Sequence, residues 1–337
     1  MMETEDIREA RSLWGEAWRR LRRDWLAMTC LVVISLYLAV GILSLFRLPY
    51  GSGDTRRSMP LVIWTFAHLV GPTNKDESYV PPMTSGRAFL KAKADKRGLA
   101  ELPQSDAEPT GLHVMGTDIH GRDVLMLTIQ GINTAVVLGF LTALVSIPLG
   151  ILFGTVAGYL GGRIDDAIVY VYSTLACVPG ILLLVALMQV MGKGILQLSL
   201  ALGVTGWVGL CRLIRGQTLM LREAEYVLAA RAVGAGSARI LVRHIVPNLF
   251  HIVIISFTLG FGGIVMSEAV LTYIGLGVSA DRISWGQMIE ESRMELSRDP
   301  SVWWPLAAAG AALMILVLAF NIFGDRLRDA LDPKLKT

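Results

Sequence analysis

Apolar residues along this chain come in long runs and not in strand-like alternation. A helix crosses a bilayer with about 20 mostly apolar residues. Six stretches meet that length: Trp25–Phe46, Ile132–Leu160, Ala167–Met191, Ile195–Ile214, Leu249–Gly275 and Val302–Phe323. Leu61–Val70 is also apolar but too short to span, which suits an interfacial or packed segment. Ahead of the first run, Ile7, Ala10, Trp14, Trp18, Leu21 and Trp25 recur at helical spacing with arginines on the other face. That pattern predicts an amphipathic helix lying flat among lipid headgroups. No Ala-x-Ala cleavage site follows, so the first run reads as a retained span.

The pattern therefore predicts an all-α integral membrane protein with six transmembrane helices. The expected order is an amphipathic leader (1–24), a first span (25–46), an external loop (47–125), a five-helix core (126–325) and a short tail (326–337). The largest inner loop of that core covers 216–247. Orientation follows the Lys/Arg bias of short loops near span ends. Arg8, Arg11, Arg19, Arg20, Arg22 and Arg23 place the N-terminus inside the cytoplasm. Arg326, Arg328, Lys334 and Lys336 do the same for the C-terminus, and Arg222, Arg231, Arg239 and Arg243 for the inner loop.

Composition agrees with a membrane protein. The 337 residues are 53% hydrophobic and 18% charged, against about 25% charged in an average soluble domain. A net charge of +3, with no basic stripe among aromatics, argues against nucleic acid as a partner. Cys30, Cys177 and Cys211 lie apart in apolar runs and read as buried thiols, with no disulfide framework and no metal site. No Gly-x-x-x-x-Gly-Lys-[Ser/Thr], His-Glu-x-x-His or Gly-x-Ser-x-Gly occurs, so the chain holds no recognisable nucleotide site or hydrolytic centre. His113, Asp118, His120 and Asp123 sit in a turn-like Gly-Thr-Asp…Gly-Arg-Asp stretch, where capping and hydrogen bonding fit better than metal binding.

Gly150, Gly154, Gly158 and Gly162 recur every four residues and share one helix face in the second span. Such a face lets two helix backbones approach closely in lipid. Pro148 and Pro179 are expected to kink their spans, and Gly260, Gly262 and Gly263 to loosen the fifth. Glu268, toward the outer end of the fifth span, is a candidate for the pathway or an outer gate, and His251 lies near its inner end.

The inner loop has helix logic of its own. Glu223 and Glu225 stand early in a helical stretch, where carboxylates suit the dipole. Tyr226, Ala229, Ala230 and Val233 make a face of mostly small residues. Gly234 suits a left-handed cap, Ser237 the start of a second short helix, and Pro247 the stop of that helix and the opening of the fifth span. Physics alone leaves two readings: insertion into another protein's groove, or an amphipathic loop on the membrane.

The segment resembles the cytoplasmic Glu-Ala-Ala loop of ABC importer permeases. That pattern is Glu-Ala-Ala, three residues, Gly, nine residues, then Ile-x-Leu-Pro. Ala229, Ala230, Gly234 and Pro247 fall on its positions; Leu228 replaces the Glu, while His244 and Val246 replace Ile and Leu. "GTDIHGRDVL" (Gly116–Leu125), "SEAVLTYIGLGVSADRISWGQMI" (Ser267–Ile289), "LAFNIFGDRLRDALDPKLK" (Leu318–Lys336) and the leader "SLWGEAWRRLRRDWLAM" (Ser12–Met28) are similar to the dipeptide, oligopeptide and nickel branch, in the right order. The set looks like the second, C-type permease subunit. The external stretch Tyr79–Arg97 and Met126–Val137 depart from that branch.

The resemblance implies a type I ABC importer permease fold without enzymatic activity. It implies a homologous second permease, cytoplasmic ABC ATPase subunits that hold ATP and Mg, and an extracytoplasmic solute-binding protein. It makes Tyr226, Ala229, Ala230, Arg231, Gly234 and Pro247 the ATPase-coupling set, with no cofactor in this chain. Peptide is the implied cargo, with a nickel chelate or another small solute as the alternative. A stand-alone secondary transporter or channel would need charged span centres or inverted repeats, and neither is visible.

Overall fold

The computed structural model describes residues 13–50, 57–60, 78–96, 112–279, 282–299 and 301–331. The apolar segment at 61–70 lies outside the described residues. Helix α1 (Leu13–Arg23) leads into α2 (Trp25–Leu43) through Asp24. The Asp24 carboxylate accepts from the Leu26 and Ala27 amides and so starts the first span abruptly. Among the described residues, the following segment holds two small antiparallel strand pairs. One pairs β1 (Arg47–Tyr50) with β2 (Arg57–Pro60), and the other pairs β3 (Thr84–Ser85) with β4 (Leu112–His113). Helix α3 (Gly86–Lys96) lies between the last two strands.

Helix α4 (Val124–Leu160) has 37 residues, about 55 Å at 1.5 Å per residue, well beyond a bilayer core of about 30 Å. It begins eight residues before the predicted span because Asp123 accepts from the Leu125 and Met126 amides and fixes the start at Val124. Pro148 lies inside this continuous helix and does not break it. The third predicted span, by contrast, is broken. Helices α5 (Gly162–Cys177) and α6 (Gly180–Met191) meet at 90°. Pro179 disfavours a helical conformation at Val178, which is extended at φ −84°, ψ 130°.

Helix α7 (Ile195–Leu221) is followed by short α8 (Glu225–Ala232) and α9 (Ser237–Ile240). A π turn over Leu241–Ile245 joins α9 to α10 (Val246–Tyr273). Helix α11 (Trp285–Ser292) precedes α12 (Trp304–Leu331). Among the described residues five helical stretches are long and apolar enough to span, or six if the bent pair α5–α6 crosses as one. The architecture is the expected all-α bundle, with the two small strand pairs added on the segment after α2.

Helix α4 is the axle. It packs along α7, while α10 packs between α4 and α12, and α2 closes the other side. The rings of Phe261 and Phe320 stack at 4.1 Å between α10 and α12. Trp285 is buried against Gly131, with its indole nitrogen donating to the Thr128 carbonyl. These contacts hold α11 over one end of the bundle. At that end the turn at 116–123 is self-sealed. Asp118 accepts from the His120 and Arg122 amides and from the Arg122 guanidinium, which also reaches Glu291. His113 pairs with Asp123 at 2.9 Å, both almost fully buried. His113, Asp118, His120 and Asp123 therefore cap a helix and close a loop. Of the three cysteines, Cys30 and Cys211 are buried, but Cys177 is exposed at the α5–α6 break.

Candidate functional site

Three of the four glycines on the predicted face do bring helices together. A Cβ at Gly150 would lie 2.9 Å from the Leu210 side chain, at Gly154 2.7 Å from that of Ile214, and at Gly158 2.7 Å from that of Thr218. All three partners are on α7, and Gly203 of α7 returns the fit against Val145. Gly162 does not belong to this face. Helix α4 ends at Leu160, and Gly161 and Gly162 turn the chain at positive φ (68° and 57°), leaving Gly162 in open space as the first residue of α5. The four-residue register thus outlasts the helix that gives it meaning.

At the same end α7 is tied by arginines to both α5 and α4. Arg215 of α7 donates two hydrogen bonds to Asp165 of α5, at 2.6 and 2.7 Å, a fork-to-fork pair. Arg222 donates to the Gly158 carbonyl, and the Arg231 guanidinium lies 5.5 Å from the Tyr159 ring centre. Arg231 thereby pins α8 to the end of α4.

The segment between α7 and α10 is an elbow. Its inner side is a small core: Val227, Ile240, Ile245 and Leu249 pack against Tyr159, Leu210 and Ile214. Gly234 sits at φ +86°, a region costly for residues with a Cβ. Around it the Gly234 amide donates to the Arg231 carbonyl and the Ala235 amide to the Ala230 carbonyl, both at 3.0 Å. That is the paired closure of a Schellman motif, and Ala230 and Ala235 supply its apolar contact. Ala230 therefore faces inward, half-buried, and not out with Ala229 as the spacing suggested. The outward surface is Tyr226, Leu228, Ala229, Val233 and Val242, with Val233 89% exposed. The helical spacing did not place Leu228 and Val242 on this surface, because a register says nothing about residues that a tertiary core pushes outward.

Two further expectations change. Ser237 is the first helical residue, not a cap; Gly236 holds the cap position and no side chain bonds there. Pro247 opens α10 in its first turn, as expected, but does not stop the helix before it. The chain runs from Ser237 to Tyr273 as one rod. Proline lacks an N–H and its ring would strike the carbonyl four residues back. The π turn just before it widens the ladder, with the Val246 amide bonding Leu241 five residues back. The Asn248 side-chain amide donates to the His244 carbonyl at 2.6 Å and also reaches the Tyr226 hydroxyl at 3.2 Å. Elbow and span are thus mechanically continuous.

Glu268 is 2% exposed and accepts from the Thr272 hydroxyl at 2.8 Å. It lies beside Ser284, the residue that caps α11. Among the described residues no His, Cys, Asp or Glu cluster has metal-binding geometry.

Residues 146–337 match the family model described as "Binding-protein-dependent transport system inner membrane component", and residues 12–60 match "N-terminal TM domain of oligopeptide transport permease C". The chain is 32% identical to the oligopeptide transport system permease protein OppC of Bacillus subtilis (strain 168), over 96% of this chain and 91% of that protein. It is 32% identical to the dipeptide transport system permease protein DppC of the same organism, over 98% and 88%. It is 28% identical to the glutathione transport system permease protein GsiD of Pectobacterium atrosepticum, over 98% and 94%. With both family models and near-full-length relatives in agreement, the chain belongs to the inner-membrane permease components of binding-protein-dependent ABC importers.

Proposed function

We propose that this permease forms half of a peptide translocation pathway and receives its drive through the α8–Gly234–α9 elbow. The other half is a homologous permease, cytoplasmic ATPase subunits supply ATP hydrolysis with Mg, and an external solute-binding protein delivers cargo. The chain itself is a non-enzymatic subunit. Both termini and the elbow lie on the cytoplasmic side, in keeping with the arginines of α1, α8, α9 and the end of α12. The names of the relatives, oligopeptide, dipeptide and glutathione permeases, support a peptide cargo.

One observation carries the coupling. The outward apolar surface of Tyr226, Ala229 and Val233 is joined through the Schellman closure at Gly234 to a helix that continues unbroken into the fifth span. A neighbouring ATPase that moves this surface as a rigid body tilts α10 with it. Such a displacement biases two packings of the bundle, which is what alternating access requires.

The test is a cysteine at Ala229 in a Cys177→Ser background, crosslinked in the assembled importer. A crosslink to an ATPase subunit whose yield changes between ATP-bound and nucleotide-free states is the expected result. No crosslink in either state, or cargo uptake by the chain without any ATPase, would overturn the reading.

A further inference from the structure

We propose that α1 and the last turns of α12 form a docking surface for anionic phospholipid headgroups. One side of α1 is already used. Ala17 and Leu21 are buried, at 2% and 5% exposure, against Leu327 and Leu331 of α12. The helix is therefore clamped to the protein and does not float alone on the membrane. Its other side exposes Trp18, Arg19, Arg20, Arg22 and Arg23. Helix α12 adds exposed Arg326 and Arg328 beside them.

The acids nearby do not neutralise this surface. Asp24 is engaged in capping α2 and pairs with Arg326 at 3.3 Å. Asp325 and Asp329 are the other carboxylates on α12's last turns, and Asp329 shares a shallow cleft with Arg20, Leu21, Asp24, Arg326 and Ala330. Among the described residues no carboxylate bridges Arg19, Arg20, Arg23 or Arg328.

Depth decides the occupant. Trp25 opens the first span and is 75% exposed, and Trp18 lies two turns earlier at 45%, with the Arg22 guanidinium 5.5 Å from its ring centre. Exposed indoles next to an apolar span settle at the headgroup level. Arginines at the same level meet phosphate, and an acidic soluble partner would give the two indoles nothing to enter. Each basic residue near an anionic leaflet contributes about 1 kcal/mol, roughly a fivefold preference.

The inference rests on the membrane placement and not on the coupling role, so its test reads lipid and not transport. The importer complex is reconstituted in equal parts phosphatidylcholine and phosphatidylglycerol, extracted in mild detergent, and its retained lipid quantified by mass spectrometry. The wild type is expected to retain phosphatidylglycerol over phosphatidylcholine by roughly fivefold or more, from at least one engaged arginine. An Arg19→Gln, Arg20→Gln, Arg22→Gln, Arg23→Gln variant, which keeps Ala17 and Leu21, is expected to fall to near parity, and the corresponding lysine variant to keep the preference. Arg328→Gln alone, should the quadruple variant not assemble, is expected to lower the ratio measurably. Parity in the wild type, an unchanged ratio in the glutamine variants, or crosslinking of these arginines to an ATPase subunit together with parity would overturn the proposal.

Discussion

Replacing Gly234 with valine isolates the elbow from every other part of the molecule. A Cβ at this position meets nothing within 4 Å, so no packing clash confuses the result. The whole effect is conformational. At φ +86° a β-branched residue carries about 1–3 kcal/mol of strain. If the elbow escapes by opening, it loses the Gly234–Arg231 and Ala235–Ala230 hydrogen bonds, each contributing about 1 kcal/mol. Either way the native elbow loses roughly 5- to 150-fold in population against alternatives. The assay compares ATP hydrolysis with cargo uptake for the assembled importer in proteoliposomes. Valine is expected to lower uptake per ATP at least several-fold while the chain still inserts and ATP is still hydrolysed. Asparagine, which tolerates the left-handed region, is expected to retain most of the coupling. Uptake per ATP equal to wild type in the valine variant would refute the rigid-elbow reasoning.

Gly154→Ala is expected to lower the melting temperature of the purified chain, because the new methyl falls 2.7 Å from the Ile214 side chain and 2.9 Å from the Cys211 carbonyl; overpacking of this kind costs about 1–3 kcal/mol. Gly209→Ala, inside α7 with nothing within 4 Å, is the control and should melt no lower than wild type, since alanine favours the helix. For the Asp165–Arg215 fork, a cycle of Asp165→Asn, Arg215→Gln and the double variant is expected to give a coupling of about 1.5–3 kcal/mol in thermal unfolding, since two charge-assisted bonds join half-buried groups. Additive single effects would make the fork incidental to stability.

The elbow was largely legible beforehand. Gly234 stands where a short helix must end, and a residue without a Cβ is what a left-handed cap selects, so local chemistry was enough. The spans were legible for a similar reason: about 20 apolar residues are hidden from water in any bilayer protein, whatever they touch. Lipid tails and leucine side chains are equally apolar, however, so hydropathy cannot say which side of a helix meets protein. That is why the glycine face was visible in the chain but its partner, α7, was not, and why Gly162 joined a register that α4 does not reach. The same blindness put Ala230 outward, although the Schellman contact with Ala235 draws it in.

Proline shows the division most sharply. Pro148, Pro179 and Pro247 carry the same local penalty, a missing donor and a clash with the preceding turn. At Pro179 the chain bends by 90°, at Pro148 the helix runs on, and at Pro247 a π turn absorbs the defect. Linear order contains the defect in each case. Only the packed neighbours around it choose among breaking, tolerating and widening, because that choice depends on which freed backbone groups find another partner in space.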